Sequence, residues 1–147
     1  MTKDLPDFNL ETYLPYQLTV LAAHLSADLA QRYKSKYGIS IAEWRVLLNV
    51  GYTENLSVRD IEKRVSLEKS KVSRAASKLE AKGYLIKQVD AKDRRLLKLV
   101  LTPKGAELLK DLIPIAQAFQ DELRAQLGAH SDGLSDALNT LLAQSKR

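Results

Sequence analysis

Residues 67–105 read LEKSKVSRAASKLEAKGYLIKQVDAKDRRLLKLVLTPKG, and this stretch decides the fold. In its first part, apolar residues recur at helical spacing until Gly83, which predicts a helix over about 68–82. In its second part, residues typical of strands flank the polar segment 90–95, which predicts a β-hairpin over about 84–101 with a charged tip. A helix followed directly by such a hairpin is typical of modules that read DNA.

A shorter helix is predicted just before this stretch. Ser57 can cap a helix that has Asp60 at its third position, and this helix is expected to run through about Arg64. A turn at residues 65–67 then leads into the longer helix. Two short helices joined in this way form a helix-turn-helix candidate.

The positive charge of the chain is concentrated in the same region. Residues 59–98 contain 13 Lys and Arg against 6 Asp and Glu, whereas the other 107 residues contain 10 against 12. A protein that binds a polyanion concentrates its cations on the contacting elements, while one that needs only solubility can spread them. The clustering therefore favours a nucleic-acid partner more strongly than the total charge of +5 does.

Two helices are predicted on the N-terminal side. Apolar residues recur at helical spacing over 10–37, which predicts one long first helix. Ser40 and Glu43 form a capping box, which predicts the start of a second helix. We expect Gly51 to end that second helix.

Two more helices are predicted on the C-terminal side. Thr102 is a helix cap followed by a proline at the first helical position, and the apolar pattern continues to Gly128 with an expected kink at Pro114. A last helix is expected from about Ser131. The predicted fold is mainly α with a small β-hairpin wing, that is, a winged helix-turn-helix flanked by long N- and C-terminal helices.

The size of the chain fits a single domain over 1–147. With 147 residues, 45% of them hydrophobic, it can bury one core. Within this unit we expect residues 40–102 to form the DNA-binding lobe and residues 10–37 and 103–146 to form dimerisation helices. The lobe is too small to cover the apolar stripes of the flanking helices, so a second copy is expected to cover the rest. The alternative is a monomer whose end helices fold back on the lobe.

The polar face of the predicted helix 68–82 suits a DNA groove. It combines small hydroxyl side chains with long cations, namely Lys69, Ser70, Lys71, Ser73, Arg74, Ser77 and Lys78. Serine lets the backbone approach a groove roughly 12 Å wide, while Arg and Lys reach base edges or phosphates. An ordinary solvated helix face is the other interpretation. The preceding helix, the local charge and the hairpin together favour nucleic-acid contact.

The predicted hairpin tip carries Asp93, Arg94 and Arg95. An arginine on a thin protrusion can enter a narrow minor groove, where the negative potential is enhanced. A carboxylate at such a tip would repel phosphates unless it holds a neighbouring arginine in place, and we assign that role to Asp93 with respect to Arg95. The alternative is a solvated turn with an incidental ion pair.

Five short motifs lie in a characteristic order within residues 40–105. They are WRVL at 44–47, LEKSKVSR at 67–74, LEAKGYL at 79–85, DRR at 93–95 and LTPKG at 101–105. In order and spacing the segment resembles the MarR family of bacterial transcriptional regulators. Counted with the flanking helices, the resemblance covers nearly the whole chain.

The resemblance implies a homodimer that binds a palindromic operator in double-stranded DNA, usually as a repressor. It implies release of the DNA when a small molecule, such as a small aromatic compound or metabolite, binds between the DNA-reading lobe and the dimer helices. It also implies specific roles for residues of this chain: Ser70, Lys71, Ser73 and Arg74 would face the major groove, Arg95 would enter the minor groove, and Asp93 would orient Arg95.

The first helix carries four tyrosines, at positions 13, 16, 33 and 37. They could line a cleft for an aromatic ligand, or they could pack at helix interfaces, as tyrosines often do. The sequence leaves both interpretations open.

Other classes of protein find little support in the sequence. The absence of cysteine excludes disulfides and thiolate sites, and the two histidines, His24 and His130, are too few for a His-rich metal site, so we expect no metal and no cofactor. There is no glycine-rich phosphate loop or nucleophile motif, so an enzyme is not expected. No signal-peptide core or membrane span is apparent, which predicts a cytoplasmic protein. The remaining alternative is a winged-helix module that binds RNA or another protein.

Overall fold

The structure, a computed structural model, describes residues 4–54, 56–65 and 67–145. These residues form a mainly helical fold with one antiparallel hairpin. The helices are α1 (Leu14–Tyr37), α2 (Ile41–Tyr52), α3 (Val58–Val65), α4 (Lys69–Ala81), α5 (Pro103–Leu127) and α6 (Ser131–Ser145), and the strands are β1 (Leu85–Val89) and β2 (Leu97–Leu101). The predicted fold class is confirmed. Ser66 in the predicted turn and residue 146 lie outside the described residues.

The predicted start of the first helix at Leu10 is wrong. Leu10–Thr12 form a separate 3-10 turn, and α1 begins at Leu14 after an extended Tyr13. Pro15 explains the break, because a residue without an N–H is accommodated in the first turn of a helix but not in its interior.

The prediction that Gly51 ends the second helix is also wrong. Gly51 lies inside α2, which continues to Tyr52. Its small size serves packing, because a Cβ atom there would lie 2.4 Å from Cδ1 of Leu109 on α5. The glycine thus allows α5 to approach α2 closely.

The predicted helix caps at Ser40 and Ser57 are confirmed. Ser40 Oγ accepts a hydrogen bond from the Glu43 N–H at 3.1 Å, and Glu43 Oε1 accepts one from the Ser40 N–H at 3.2 Å. Ser57 and Asp60 make the same reciprocal pair at the start of α3, at 3.1 and 3.0 Å. These caps fix the N-termini of the two helices that precede α4.

The hairpin is joined firmly to its neighbours. Its register pairs Leu85 with Leu101 and Val89 with Leu97. The N–H of Leu99 donates to the carbonyl oxygen of Leu56 at 3.3 Å, which attaches β2 to the segment before α3. The base of the hairpin therefore has a fixed position relative to the helix-turn-helix.

The start of α5 closes this junction. Thr102 Oγ1 accepts from the Gly105 N–H at 3.0 Å and donates to the carbonyl oxygen of Gly83 at 2.6 Å. A Cβ atom on Gly105 would lie 2.1 Å from the Tyr84 carbonyl oxygen, so only glycine permits this contact. The end of α4, the start of β1 and the start of α5 thus meet in one place.

The core lies beneath α4 and draws on every helix from α1 to α5. The buried side of α4 consists of Val72, Ala75, Ala76 and Leu79. Tyr33 of α1 stacks on Trp44 of α2 with ring centroids 4.6 Å apart, so this tyrosine is a core residue and does not line a cleft. Leu108, Leu109 and Leu112 of α5 complete the core.

The helices at the two ends of the chain bury few of their side chains. Within the described residues α6 buries none of its side chains, and α1 buries Ala30 and Tyr33 in its C-terminal half. Apolar side chains at both ends are exposed instead: Leu5, Phe8, Leu10, Tyr13, Leu14, Tyr16, Leu18, Leu21, Leu134, Leu138, Leu141 and Leu142. None of the helices in the described ranges is long and apolar enough to cross a membrane.

Candidate nucleic-acid interface

The outer face of α4 displays all six of its predicted DNA-binding residues. Lys69, Ser70, Lys71, Ser73, Arg74 and Lys78 are each exposed. The opposite face is buried in the core, so the apolar stripe fixes which side of the helix points outward. A rotation of α4 about its axis that buried these cations would expose the apolar stripe, so the core fixes the orientation of the helix.

The cations of this face have no protein partner in the part of the chain that the structure describes. Lys69, Lys71, Arg74 and Lys78 form no ion pair there, and neither does Arg94 at the hairpin tip. Their hydrogen-bond donors are available to an external anion.

Helical geometry divides this face into a centre and two flanks. Ser70 and Arg74, four residues apart, lie at the centre, directly opposite the buried stripe. Lys71 and Lys78 lie on one flank and, with Arg74, border a shallow depression beside Ser40 at the start of α2. Lys69 and Ser73 lie on the other flank, which faces the wing.

The hairpin tip is held by its own carboxylates. Asp90 Oδ1 accepts hydrogen bonds from the backbone N–H groups of Lys92 at 2.7 Å and Asp93 at 3.1 Å. These bonds lower the pKa of Asp90 below its usual range. The tip is therefore an ordered turn that places Asp93 next to Arg95.

Asp93 binds Arg95, as the sequence predicts. Its Oδ1 accepts from the Arg95 Nε at 3.0 Å and from the Arg95 backbone N–H at 3.1 Å, and its Oδ2 accepts from Nη2 at 3.2 Å. The guanidinium lowers the pKa of the Asp93 carboxyl, chiefly through the side-chain hydrogen bond. Arg95 remains 89% exposed, so it is fixed in orientation and still accessible.

A latch of three residues joins the wing to α4. Lys87 of β1 donates from Nζ to Ser77 Oγ at 2.8 Å and lies 3.8 Å from Glu80 Oε1. The Lys87 backbone N–H also donates to Glu80 Oε2 at 3.2 Å. Ser77, which sequence reasoning assigned to the polar face, is thus engaged with the wing.

A second attachment holds the C-terminal end of α4. Lys82 Nζ lies 2.7 Å from the buried Glu43 Oε2 and 2.7 Å from the Gly38 carbonyl oxygen, to both of which it donates. Lys82 carries the same charge as the cations of the outer face, but its donors are used within the protein.

Sequence reasoning missed two residues beside these elements. Arg59 of α3 and Lys87 of β1 line a hollow of about 310 Å³ between α4 and the wing, together with Lys69, Ser73 and Arg95. Arg94 is exposed at the tip and does not line this hollow. The local charge excess over residues 59–98 was the signal that could have pointed to both residues.

Comparisons with known proteins agree with this geometry. A profile described as the MarR family matches residues 37–96. The HTH-type transcriptional regulator SarZ of Staphylococcus epidermidis is 28% identical over 114 residues, which cover 76% of this chain and 77% of SarZ.

Solved structures share the fold over nearly its whole length. A MarR/EmrR family transcriptional regulator from Acinetobacter sp. ADP1 aligns with a TM-score of 0.82 at 28% identity, over 94% of this chain and 98% of that one. Bordetella bronchiseptica BpsR, whose DNA binding is regulated by 6-hydroxynicotinic acid, aligns with a TM-score of 0.78 at 19% identity, over 97% and 99%. At that identity the likeness to BpsR concerns the fold.

The fold and its exposed basic helix define a winged helix-turn-helix protein. The chain is similar to MarR-family transcriptional regulators in sequence over residues 37–96 and in fold over nearly its whole length, which supports a DNA-binding regulator. These relatives are regulators and not enzymes, in agreement with the absence of a catalytic motif in the sequence.

Proposed function

We propose that this chain acts as a homodimeric repressor that binds a palindromic operator and is released from it by a small molecule. In this proposal Ser70, Lys71, Ser73 and Arg74 contact the major groove while Arg95, oriented by Asp93, enters the minor groove. Lys69, Lys78 and Arg94 add contacts to phosphates. The observation that carries the proposal is the exposed face of α4, whose cations have no ion-pair partner in the described ranges, beside an arginine fixed by its neighbour.

The dimer is supported by the apolar surface at the two ends of the chain. Leu138, Leu141 and Leu142 of α6 are 38, 49 and 58% exposed, and Leu14 and Leu18 of α1 are 63 and 39% exposed. A monomer whose end helices folded back would bury such residues, whereas a symmetric partner would cover them. Twofold symmetry would place the two α4 helices in successive major grooves, with half-sites about 10 bp or 34 Å apart.

A salt titration tests duplex DNA against the alternative of an RNA- or protein-binding module. The probes are a duplex selected by the protein from a random-sequence pool, a scrambled duplex, and an RNA hairpin of equal length. We expect the selected duplex to bind most tightly, with a logarithmic affinity that falls linearly with the logarithm of salt concentration. Equal binding of the RNA hairpin, or binding independent of salt, would favour the alternative.

Sedimentation of a charged variant tests the dimer. Leu138→Glu places a charge in the exposed apolar stripe of α6, so we expect dissociation without loss of helical content. Asn139→Glu, on the neighbouring position, is the matched control and should remain dimeric if the stripe is the interface. A wild-type protein that sediments as a monomer at micromolar concentration would contradict the proposal.

Repression is tested on a promoter that contains the selected duplex. Addition of the protein should reduce transcript yield in a purified transcription reaction. An increase in yield would make the protein an activator and leave its DNA binding intact.

Release by a ligand is supported by a hollow of about 520 Å³ between the lobe and α5. It is lined by Tyr52 and Asn49 of α2, Arg64 of α3, and Ile113 and Gln117 of α5. An aromatic ring beside a guanidinium suits a small aromatic acid, and the DNA binding of BpsR is regulated by such a compound.

Thermodynamic linkage requires two affinities to change together. A hydroxylated aromatic acid that weakens duplex binding by some factor must bind the protein–DNA complex more weakly than the free protein by the same factor. Both affinities can be measured by titration for a panel of aromatic acids. A panel in which no compound changes duplex affinity would leave a constitutive DNA binder.

A further inference from the structure

The hollow between α4 and the wing lies where the geometry of DNA would place a sugar–phosphate strand. A major groove and the minor groove next to it are separated by one sugar–phosphate strand. If α4 occupies the major groove and Arg95 enters the adjacent minor groove, that strand must cross between them. The hollow lies there, with Lys69 and Ser73 of α4 on one side and Arg95 of the wing on the other.

The hollow carries cations from three different elements. Arg59 comes from the first turn of α3, Lys69 from the first turn of α4, and Lys87 from β1. Lys87 is anchored to Ser77 and Glu80, whereas Arg59 and Lys69 have neither an ion pair nor a side-chain hydrogen bond to any described residue. Arg59 is also close enough to the tip to lower the pKa of Asp93, which places its charge on the wing side.

We infer that this hollow is a binding site for the DNA sugar–phosphate strand, with Arg59 and Lys69 as its phosphate ligands and Lys87 as the positioning residue that sets its width. The inference rests on the proposed mode of DNA binding and adds a site to it. Because a phosphate is the same at every base step, these contacts contribute affinity without sequence preference. Arg59 is therefore a DNA-binding residue of α3, outside both α4 and the wing.

One acidic residue makes the inference testable in both directions. Glu62, on the same helix as Arg59, also lines the hollow. Its carboxylate repels a phosphate strand, so its neutralisation should strengthen binding where the loss of Arg59 weakens it. A structural role for either residue would not produce this pair of opposite effects.

The experiment measures duplex affinity against salt for Arg59→Ala and Glu62→Gln in the full-length protein. For Arg59→Ala we expect the salt slope to fall by about 0.9 for each lost phosphate contact, or about twice that for a dimer. The selected and scrambled duplexes should weaken by the same factor, and Arg59→Lys should restore the slope. Glu62→Gln should tighten both duplexes.

Lys110→Ala serves as the matched control. Lys110 lies on α5, is 71% exposed and pairs with Glu107 of its own helix, so its removal should leave the slope unchanged. Ethylation of phosphates provides a second measurement. One interfering phosphate is expected between the major- and minor-groove contacts of each half-site, and its effect should be weaker in Arg59→Ala, where Lys69 is the remaining ligand.

The failures of the two proposals are distinguishable. If the wild-type protein shows no salt-dependent duplex binding, the proposed function itself is wrong. If Arg74→Ala weakens binding while Arg59→Ala leaves slope and ethylation pattern unchanged, the proposed function stands and the phosphate site is wrong. Equal effects of Arg59→Ala and Lys110→Ala would also overturn the inference.

Discussion

The exposed cations of α4 and the cations that are bonded to neighbouring helices have opposite environments. Lys71, Arg74 and Lys78 of α4 are exposed and form no ion pair with any described residue. In contrast, Lys82 donates to Glu43 and Gly38, and Arg45 donates to Ser26. The bonded cations hold helices together, whereas the exposed cations keep their donors for a partner.

This difference shows that charge alone does not identify a binding residue. Lys78 and Lys82 are one helical turn apart in sequence, and Lys82 is bonded to a neighbouring helix. What separates them is whether the protein already satisfies the donors. Mutations of bonded cations should therefore change stability, whereas mutations of exposed cations should change DNA affinity.

The largest effect on folding is expected from Lys82→Met. The variant leaves the buried Glu43 carboxylate without its ion pair, which should lower the free energy of unfolding by about 3 kcal/mol, the low end for a buried pair because the Lys82 side chain is 37% exposed. Lys78→Met is the matched control on the same helix and should change stability by less than about 0.5 kcal/mol. Urea denaturation measures both, and equal losses in the two variants would remove the distinction between exposed and bonded cations.

A smaller effect on stability is expected from Tyr33 of the core at alkaline pH. Burial raises the pKa of Tyr33 to about 12, with Arg45 opposing the rise. The folded state thus holds this proton more tightly than the unfolded state, and the corresponding stability is present below about pH 10 and lost as pH rises through about 12. The loss should be on the order of 2 kcal/mol, and Tyr33→Phe should abolish that part of the pH dependence.

The direction in which Asp93→Asn changes DNA affinity tests the role of the hairpin tip. Removal of a negative charge from a DNA-facing tip would by itself strengthen binding. Since Asp93 also fixes the Arg95 guanidinium, we expect instead a several-fold loss of affinity for the selected duplex, with little change for a scrambled one. Tighter binding of both duplexes would mean that Asp93 does not orient a DNA-reading arginine.

Local signals in the sequence predicted most of the fold. The pairs Ser40–Glu43 and Ser57–Asp60 marked helix starts because a cap is formed by residues three positions apart. The prediction failed at Gly51, where glycine has a tertiary role. Its neighbour is Leu109 of α5, and no local pattern shows that the two helices cross there.

The candidate site was predictable where its residues share one element. The helical period placed Ser70 and Arg74 on the exposed face of α4, and spacing alone brought Asp93 to Arg95. Arg59 and Lys87 were missed because they reach the same hollow from α3 and β1. The kink at Pro114, the lobe boundaries and the DNA contacts of the site residues stay predictions.

The most direct test of the account is one comparison of duplex affinity. Arg74→Ala and Arg95→Ala are measured with the selected duplex at fixed salt, and their unfolding midpoints are measured on the same samples. Each variant is expected to lose about 1–3 kcal/mol of binding free energy with an unchanged midpoint. Unchanged affinity in both variants, with the wild-type protein still bound, would contradict the assignment of the exposed face of α4 and the hairpin tip as the DNA-reading surface.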